Sequence, residues 1–187
     1  MLILRRGLPV GALCLVPFLL MGCGASPQSP GTAQPAETVP APVFASNEEA
    51  LAAATTAYGK YIAMSDQISN EGGVQPERIA PFVTAGLLPD EMKQFVDLQT
   101  SSIHSTGLTG LRVISMQSAR YESPQTTEIS LYVCEDVAGI DVVDSSGRSL
   151  VSATREAVSG FVARLVSGSN TQLVVAGRDF WTGRTFC

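Results

Sequence analysis

Apolar residues along this chain change spacing three times, and each change marks a different kind of segment. Residues 8–21 are apolar throughout and follow Arg5 and Arg6. The run is too short to span a bilayer and is interrupted by Pro9 and Pro17, so a basic start, a short apolar stretch and the small Gly22 behind it predict a secretory signal. Residues 24–45 hold only Val39, Val43 and Phe44 as sizeable apolar side chains, among Pro27, Pro30, Pro35, Pro40 and Pro42. That composition predicts a linker, which fully extended reaches roughly 3.1 Å per residue, about 70 Å in all. Ser46-Asn47-Glu48-Glu49 then has the form of a capping box. Behind it Leu51, Ala54, Tyr58, Tyr61, Ile62, Ser65 and Ile68 recur at steps of three and four, one helical stripe closed by Asn70-Glu71-Gly72-Gly73. A short helix is predicted over 76–83, with Pro76 in its first turn and Pro81 distorting or stopping it. A third starts near Pro89-Asp90-Glu91, with Met92, Phe95, Val96, Gln99 and Ile103 on one face.

After Gly110 the period becomes two, which predicts strands over 111–122, 126–135, 139–143 and 171–180, with 148–166 forming one bent strand or two around a bulge at Gly160. In 126–135, Ile129, Leu131 and Val133 point one way and Glu128, Ser130 and Tyr132 the other. Asp144-Ser145-Ser146-Gly147 and Ser167-Gly168-Ser169-Asn170 are turn sequences. Loops this short join antiparallel neighbours, so the expected class is α+β: N-terminal helices packed on a C-terminal antiparallel sheet.

Leu20-Met21-Gly22-Cys23 resembles the bacterial lipoprotein signal, in which a leucine-type residue and a small residue precede the cysteine that becomes a lipidated N-terminus. An ordinary signal peptide with an incidental cysteine is the alternative. The resemblance implies a signal peptide over 1–22, a lipidated Cys23 with a proline-rich tether over 23–45, and a folded domain over 46–187. Two acyl chains suffice for stable anchoring, so the expected location is the outer face of the plasma membrane, with the membrane itself as first partner. Of the four cysteines, Cys14 then leaves with the signal and Cys23 carries lipid, which leaves Cys134 and Cys187. In an exported chain this pair is expected as one disulfide.

Removing residues 1–22 takes out two arginines and no acid, leaving 10 basic against 17 acidic residues, a net charge of −7 with histidine neutral. An acidic chain without a basic stripe argues against nucleic acid as a partner.

The helix-then-sheet order, with Tyr58-x-x-Tyr61, Cys134-x-Asp136 and the terminal Cys187, resembles small exported actinobacterial lipoproteins within the nuclear transport factor 2-like superfamily, which includes polyketide-cyclase-like proteins. The resemblance implies a curved, cone-like sheet around the long helix, with a cavity between them. It also implies a hairpin between the early helices, for which residues 72–103 carry no strand pattern. Tyr58, Tyr61, Tyr132 and Trp181 are the candidate ligand-cavity residues, with core filling as the plainer reading of the same aromatics.

Chemistry beyond this is sparse. Asp66 reads as a solvated edge position of the first helix and His104 as a surface-loop histidine; no catalytic residue is assigned. Glu135, Asp136, Asp141 and Asp144 form an acidic cluster but lack calcium-loop spacing, and Asp144 suits the first position of a turn. No metal and no cofactor is expected. The sequence points to a membrane-anchored envelope lipoprotein whose domain binds a small apolar ligand or an envelope protein without catalysis. The alternatives are a small cavity enzyme of isomerase or cyclase type relying on Asp66, and an accessory factor of an envelope complex.

Overall fold

Ser46 opens the first helix, α1 (Asn47–Asn70), as its sequence requires: the serine Oγ accepts from Glu49 N at 3.2 Å, and Glu49 Oε2 reaches back to the Ala45 amide at 2.7 Å. In this computed structural model residues 43–168 and 172–187 are described. The expected signal segment, Cys23, nearly all of the proline-rich stretch and part of the turn through Ser169 and Asn170 lie outside them. Every described residue belongs to one compact unit, Val39–Cys187.

The helix buries Ala50, Ala54, Tyr58, Tyr61, Ile62 and Ile68 along one face. It stops in a Schellman motif, with Gly73 N bonded to Ile68 O at 2.8 Å and Gly72 N to Ser69 O at 3.1 Å. Gly73 has φ +80°, and a Cβ there would sit 1.9 Å from Phe95 O, so both its left-handed backbone and its closeness to the next helix require glycine. A 3-10 turn, η1 (Pro76–Phe82), follows with Pro81 inside it, and then α2 (Leu88–Ser101), which buries Glu91 and Phe95. Residues 72–103 thus contain helix and turn, and the nearest thing to a strand is a single parallel bridge from Val83 to Val175.

Among the described residues six strands complete the order: β1 (His104–Thr106), β2 (Gly110–Arg120), β3 (Glu128–Asp136), β4 (Asp141–Val143), β5 (Val158–Ser167) and β6 (Leu173–Phe180). Four of them form an antiparallel sheet in the order β2-β3-β5-β6. Its inner face carries Ile129, Leu131 and Val133 from β3, Ala163 and Leu165 from β5 and Val175 from β6, all fully buried in one core with the α1 stripe, Ile79 and Phe95. The α+β class, the order of helices before sheet and the single disulfide are therefore as the sequence indicated. Register shifts in β2 and between β5 and β6 interrupt the ladder, which is where a sheet bends and twists.

Three local expectations need correction. His104 is not in a loop: it lies in β1, which pairs with β4 as a separate two-stranded sheet, His104 opposite Val143. The 139–143 strand accordingly does not sit beside β3, because the turn closed by Ile140 N to Val137 O at 3.0 Å redirects the chain. Finally, 148–166 is strand only from Val158 on, and Gly160 is in regular register with Cys134. The glycine is needed instead for Phe186, whose ring would lie 3.1 Å from a Cβ at that position.

At the start of the domain, Val43 N donates to Tyr121 O at 3.1 Å, Phe44 meets the Tyr121 ring edge-on, and Tyr121 Oη donates to Asn47 Oδ1 at 2.7 Å. Val43 and Phe44, which composition placed in the tether, are held against the end of β2.

Candidate functional site

Side chains alternate across β3, and Glu135 falls two residues beyond Val133 on the buried face. It is only 6% exposed. Such a carboxylate requires partners, and it has two: the Tyr58 hydroxyl donates to Oε1 at 2.5 Å and Arg178 Nη1 donates to Oε2 at 2.9 Å. One helical turn along α1, the Tyr61 hydroxyl lies 3.1 Å from both oxygens of Glu91, a second buried carboxylate, on α2. The result is a polar seam through an apolar core: α2 to α1 through Glu91 and Tyr61, α1 to the sheet through Tyr58, Glu135 and Arg178.

Electrostatics follow from this burial. Desolvation, reinforced by the charge of Glu135, holds the Tyr58 phenol far above its usual range, and desolvation with Glu91 does the same to Tyr61. Desolvation also raises Glu91, against the pull of the Tyr61 hydrogen bond and of Arg178. Burial works to lower Arg178, but Glu135, the two phenols and Glu91 hold it above its ordinary value. Its guanidinium also lies 4.6 Å from the centroid of the Phe161 ring. Each phenol stays protonated and donates to its carboxylate, which suits a structural seam.

The four candidate cavity residues do not come together. Tyr58 and Tyr61 are interior, with exposures of 0% and 3%. Tyr132, an odd number of residues from Val133 and Glu135, projects from the opposite face of the sheet, where it packs edge-on to Trp181 and against Phe186. Cys134 shares that outer face and bonds to Cys187, so the disulfide and these aromatics clasp the C-terminal tail across the sheet. The sequence fixes a side chain's face within its own strand, and here the two faces belong to different layers.

The remaining candidates are occupied by structural bonds. Asp66 is half-buried rather than solvated, accepting from Thr109 N at 2.8 Å and Thr109 Oγ1 at 2.7 Å at the entrance to β2. The acidic residues disperse: Asp136 caps Ala138, Asp141 accepts from Ser149 Oγ, and Asp144 accepts from Ser146 and Arg148 within its turn. Among the described residues no three His, Cys, Asp or Glu side chains gather to hold a metal ion. Among them, too, no helix is long and apolar enough to cross a membrane.

A concavity of about 690 Å³ lies elsewhere, between α1, η1 and the start of β6. Ala53, Thr56 and Ala57 line its α1 side, with Phe44, Phe82 and Leu173 among its other walls. Its charged residues are Glu49 and Lys60. The tyrosine stripe dominates the period of α1; the sequence signal for this second face is the run of alanine and threonine over 52–57, small residues where a solvated helix face ordinarily carries long polar ones.

No family profile and no curated protein matches the sequence. Among solved structures, the intermembrane space region of chloroplast protein ARC6 aligns at 8% identity and a TM-score of 0.44, covering 70% of this chain and 95% of that one. A structure from Catenulispora acidiphila aligns at 11% identity and a TM-score of 0.44, covering 71% and 93%.

Proposed function

We propose that this chain is an exported lipoprotein, held on the outer face of the plasma membrane by acyl chains on Cys23, whose α+β domain binds a small apolar molecule in the groove between α1, η1 and β6. The groove carries this reading. Its volume of about 690 Å³ is within the roughly 300–1,000 Å³ of small-molecule sites, which are mostly apolar with a few polar groups that fix orientation. Phe44, Phe82 and Leu173 supply apolar wall, while Glu49, Thr56, Lys60 and Gln172 supply the polar groups. The buried carboxylates Glu91 and Glu135, by contrast, are committed to the seam, which favours binding over catalysis.

Native mass spectrometry of the oxidised polypeptide 24–187, after exposure to an envelope extract, tests the binding role. A discrete added mass that disappears in Ala53→Trp, a substitution that fills the groove, is the expected result. An unliganded mass in both proteins overturns it and turns the search to protein partners. The anchor is tested separately, by loss of incorporated palmitate and of membrane association in Cys23→Ser.

A further inference from the structure

The groove is electrically lopsided. Glu49 and Lys60 are eleven residues apart on α1, about 16 Å along the helix axis. Glu49 is already engaged at the helix start through the Ala45 amide. Of the two lysines in the chain, Lys93 pairs with Asp97 at 2.6 Å, whereas Lys60 is exposed and pairs with no carboxylate among the described residues. An anion at Lys60 gains a cation and stands a full groove length from Glu49, while one at the Phe44 end meets Glu49 directly. Between the two charges, the α1 side of the groove is an elongated strip of small side chains, Ala52, Ala53, Thr56 and Ala57, running along the helix axis, with aromatic rings at Phe44 and Phe82. An unbranched chain lying along the helix fits such a strip.

Resting on the groove reading above, we infer that the ligand is a single-chain fatty acid, its carboxylate at Lys60 and its tail running along α1 toward Phe44. Lys60 is the specificity residue, and the apolar walls supply the bulk of the affinity. Because the lysine is exposed, the ion pair is worth a modest factor, on the order of fivefold in Kd.

The test uses cis-parinaric acid, a fluorescent single-chain carboxylic acid, and its uncharged methyl ester, titrated into the oxidised polypeptide 24–187 at neutral pH. The acid should bind about fivefold tighter than the ester, Lys60→Gln should bring the acid to the level of the ester without changing the ester, and Lys60→Arg should retain the preference. Equal binding of acid and ester, or a Lys60→Gln protein that keeps the preference, overturns the carboxylate assignment. If Ala53→Trp still abolishes both, the groove itself stands. Displacement of the probe by phosphatidylglycerol more effectively than by oleic acid overturns the single-chain assignment in favour of a phospholipid. Absence of binding by either probe overturns this inference and leaves the groove reading to the native mass spectrum, whereas binding that Ala53→Trp leaves intact overturns both.

Discussion

Replacing Glu135 with leucine removes the acceptor on which two interior groups depend. Tyr58 has no exposed surface, and its hydroxyl donates to Glu135 alone among the described residues. Leucine leaves that hydroxyl buried without a partner, a loss of about 1–3 kcal/mol. Arg178 loses its ion pair too, but its side chain is 36% exposed and can turn to water, so its share is on the order of 1 kcal/mol or less. Relief from burying a carboxylate offsets part of this. The expected net destabilisation is about 2–3 kcal/mol. With a urea m-value of roughly 1–3 kcal/mol/M, the unfolding midpoint should fall by about 0.7–3 M. The decisive comparison is Tyr58→Phe combined with Glu135→Leu. Phenylalanine has no hydroxyl to strand, so the double variant should be more stable than Glu135→Leu alone, by about 1–2 kcal/mol, and Tyr58→Phe alone completes the cycle that gives the coupling between the two residues. If the second substitution instead adds to the damage, the hydroxyl was not the group left unsatisfied, and the account of the seam is wrong.

Cys134→Ser with Cys187→Ser opens a loop of sequence separation 53, whose closure entropy is about 4 kcal/mol; urea midpoints should show a loss of about 2–4 kcal/mol, and Trp181 fluorescence should shift to the red as the tail leaves Tyr132. Ser46→Ala should cost about 1 kcal/mol and speed hydrogen exchange at the Glu49 amide. Glu91 is raised by burial, so as pH rises the unfolded chain ionises this group before the folded one does, and folding is penalised above the folded value. Glu91→Gln, which retains an acceptor for Tyr61, should therefore melt higher than wild type at pH 8, and the difference should close toward pH 4; an unchanged gap across that range contradicts the assignment. Gly73→Ala combines a left-handed backbone with a clash at Phe95 O and should lose more than about 2 kcal/mol in thermal melts.

Much of the fold was legible because its determinants are local. The cap at Ser46, the stripe from Ala54 to Ile68, the glycines after Asn70 and the alternation around Leu131 each specify structure within a few residues. The pairing of Cys134 with Cys187 followed from the expectation that Cys14 and Cys23 belong to a signal segment and an anchor, which leaves two cysteines to pair. The two-stranded sheet was not legible: His104–Thr106 is too short to show a period, and its partner strand, Asp141–Val143, is more than thirty residues away. Glu135 was within reach, since a carboxylate two residues past Val133 on an apolar face must be buried and paired. Grouping it by sequence with Asp136, Asp141 and Asp144 hid the alternation that separates it from them.

The groove shows why a candidate site can be harder to read than the core beside it. A core residue announces itself by being large and periodic, as Tyr58 and Ile62 do, because burial of apolar area is what stabilises the fold. The α1 side of the groove is Ala53, Thr56 and Ala57, which read as ordinary helix-forming residues and whose smallness is meaningful only once something stands opposite them. What stands opposite is assembled from two distant segments, Phe82 at the end of η1 and Leu173 at the start of β6. The Val83 to Val175 bridge and the Thr84 N to Val175 O bond at 2.9 Å hold those segments together. The site is therefore a product of that junction: substitutions that loosen the bridge should widen the groove while leaving the α1 core stripe in place.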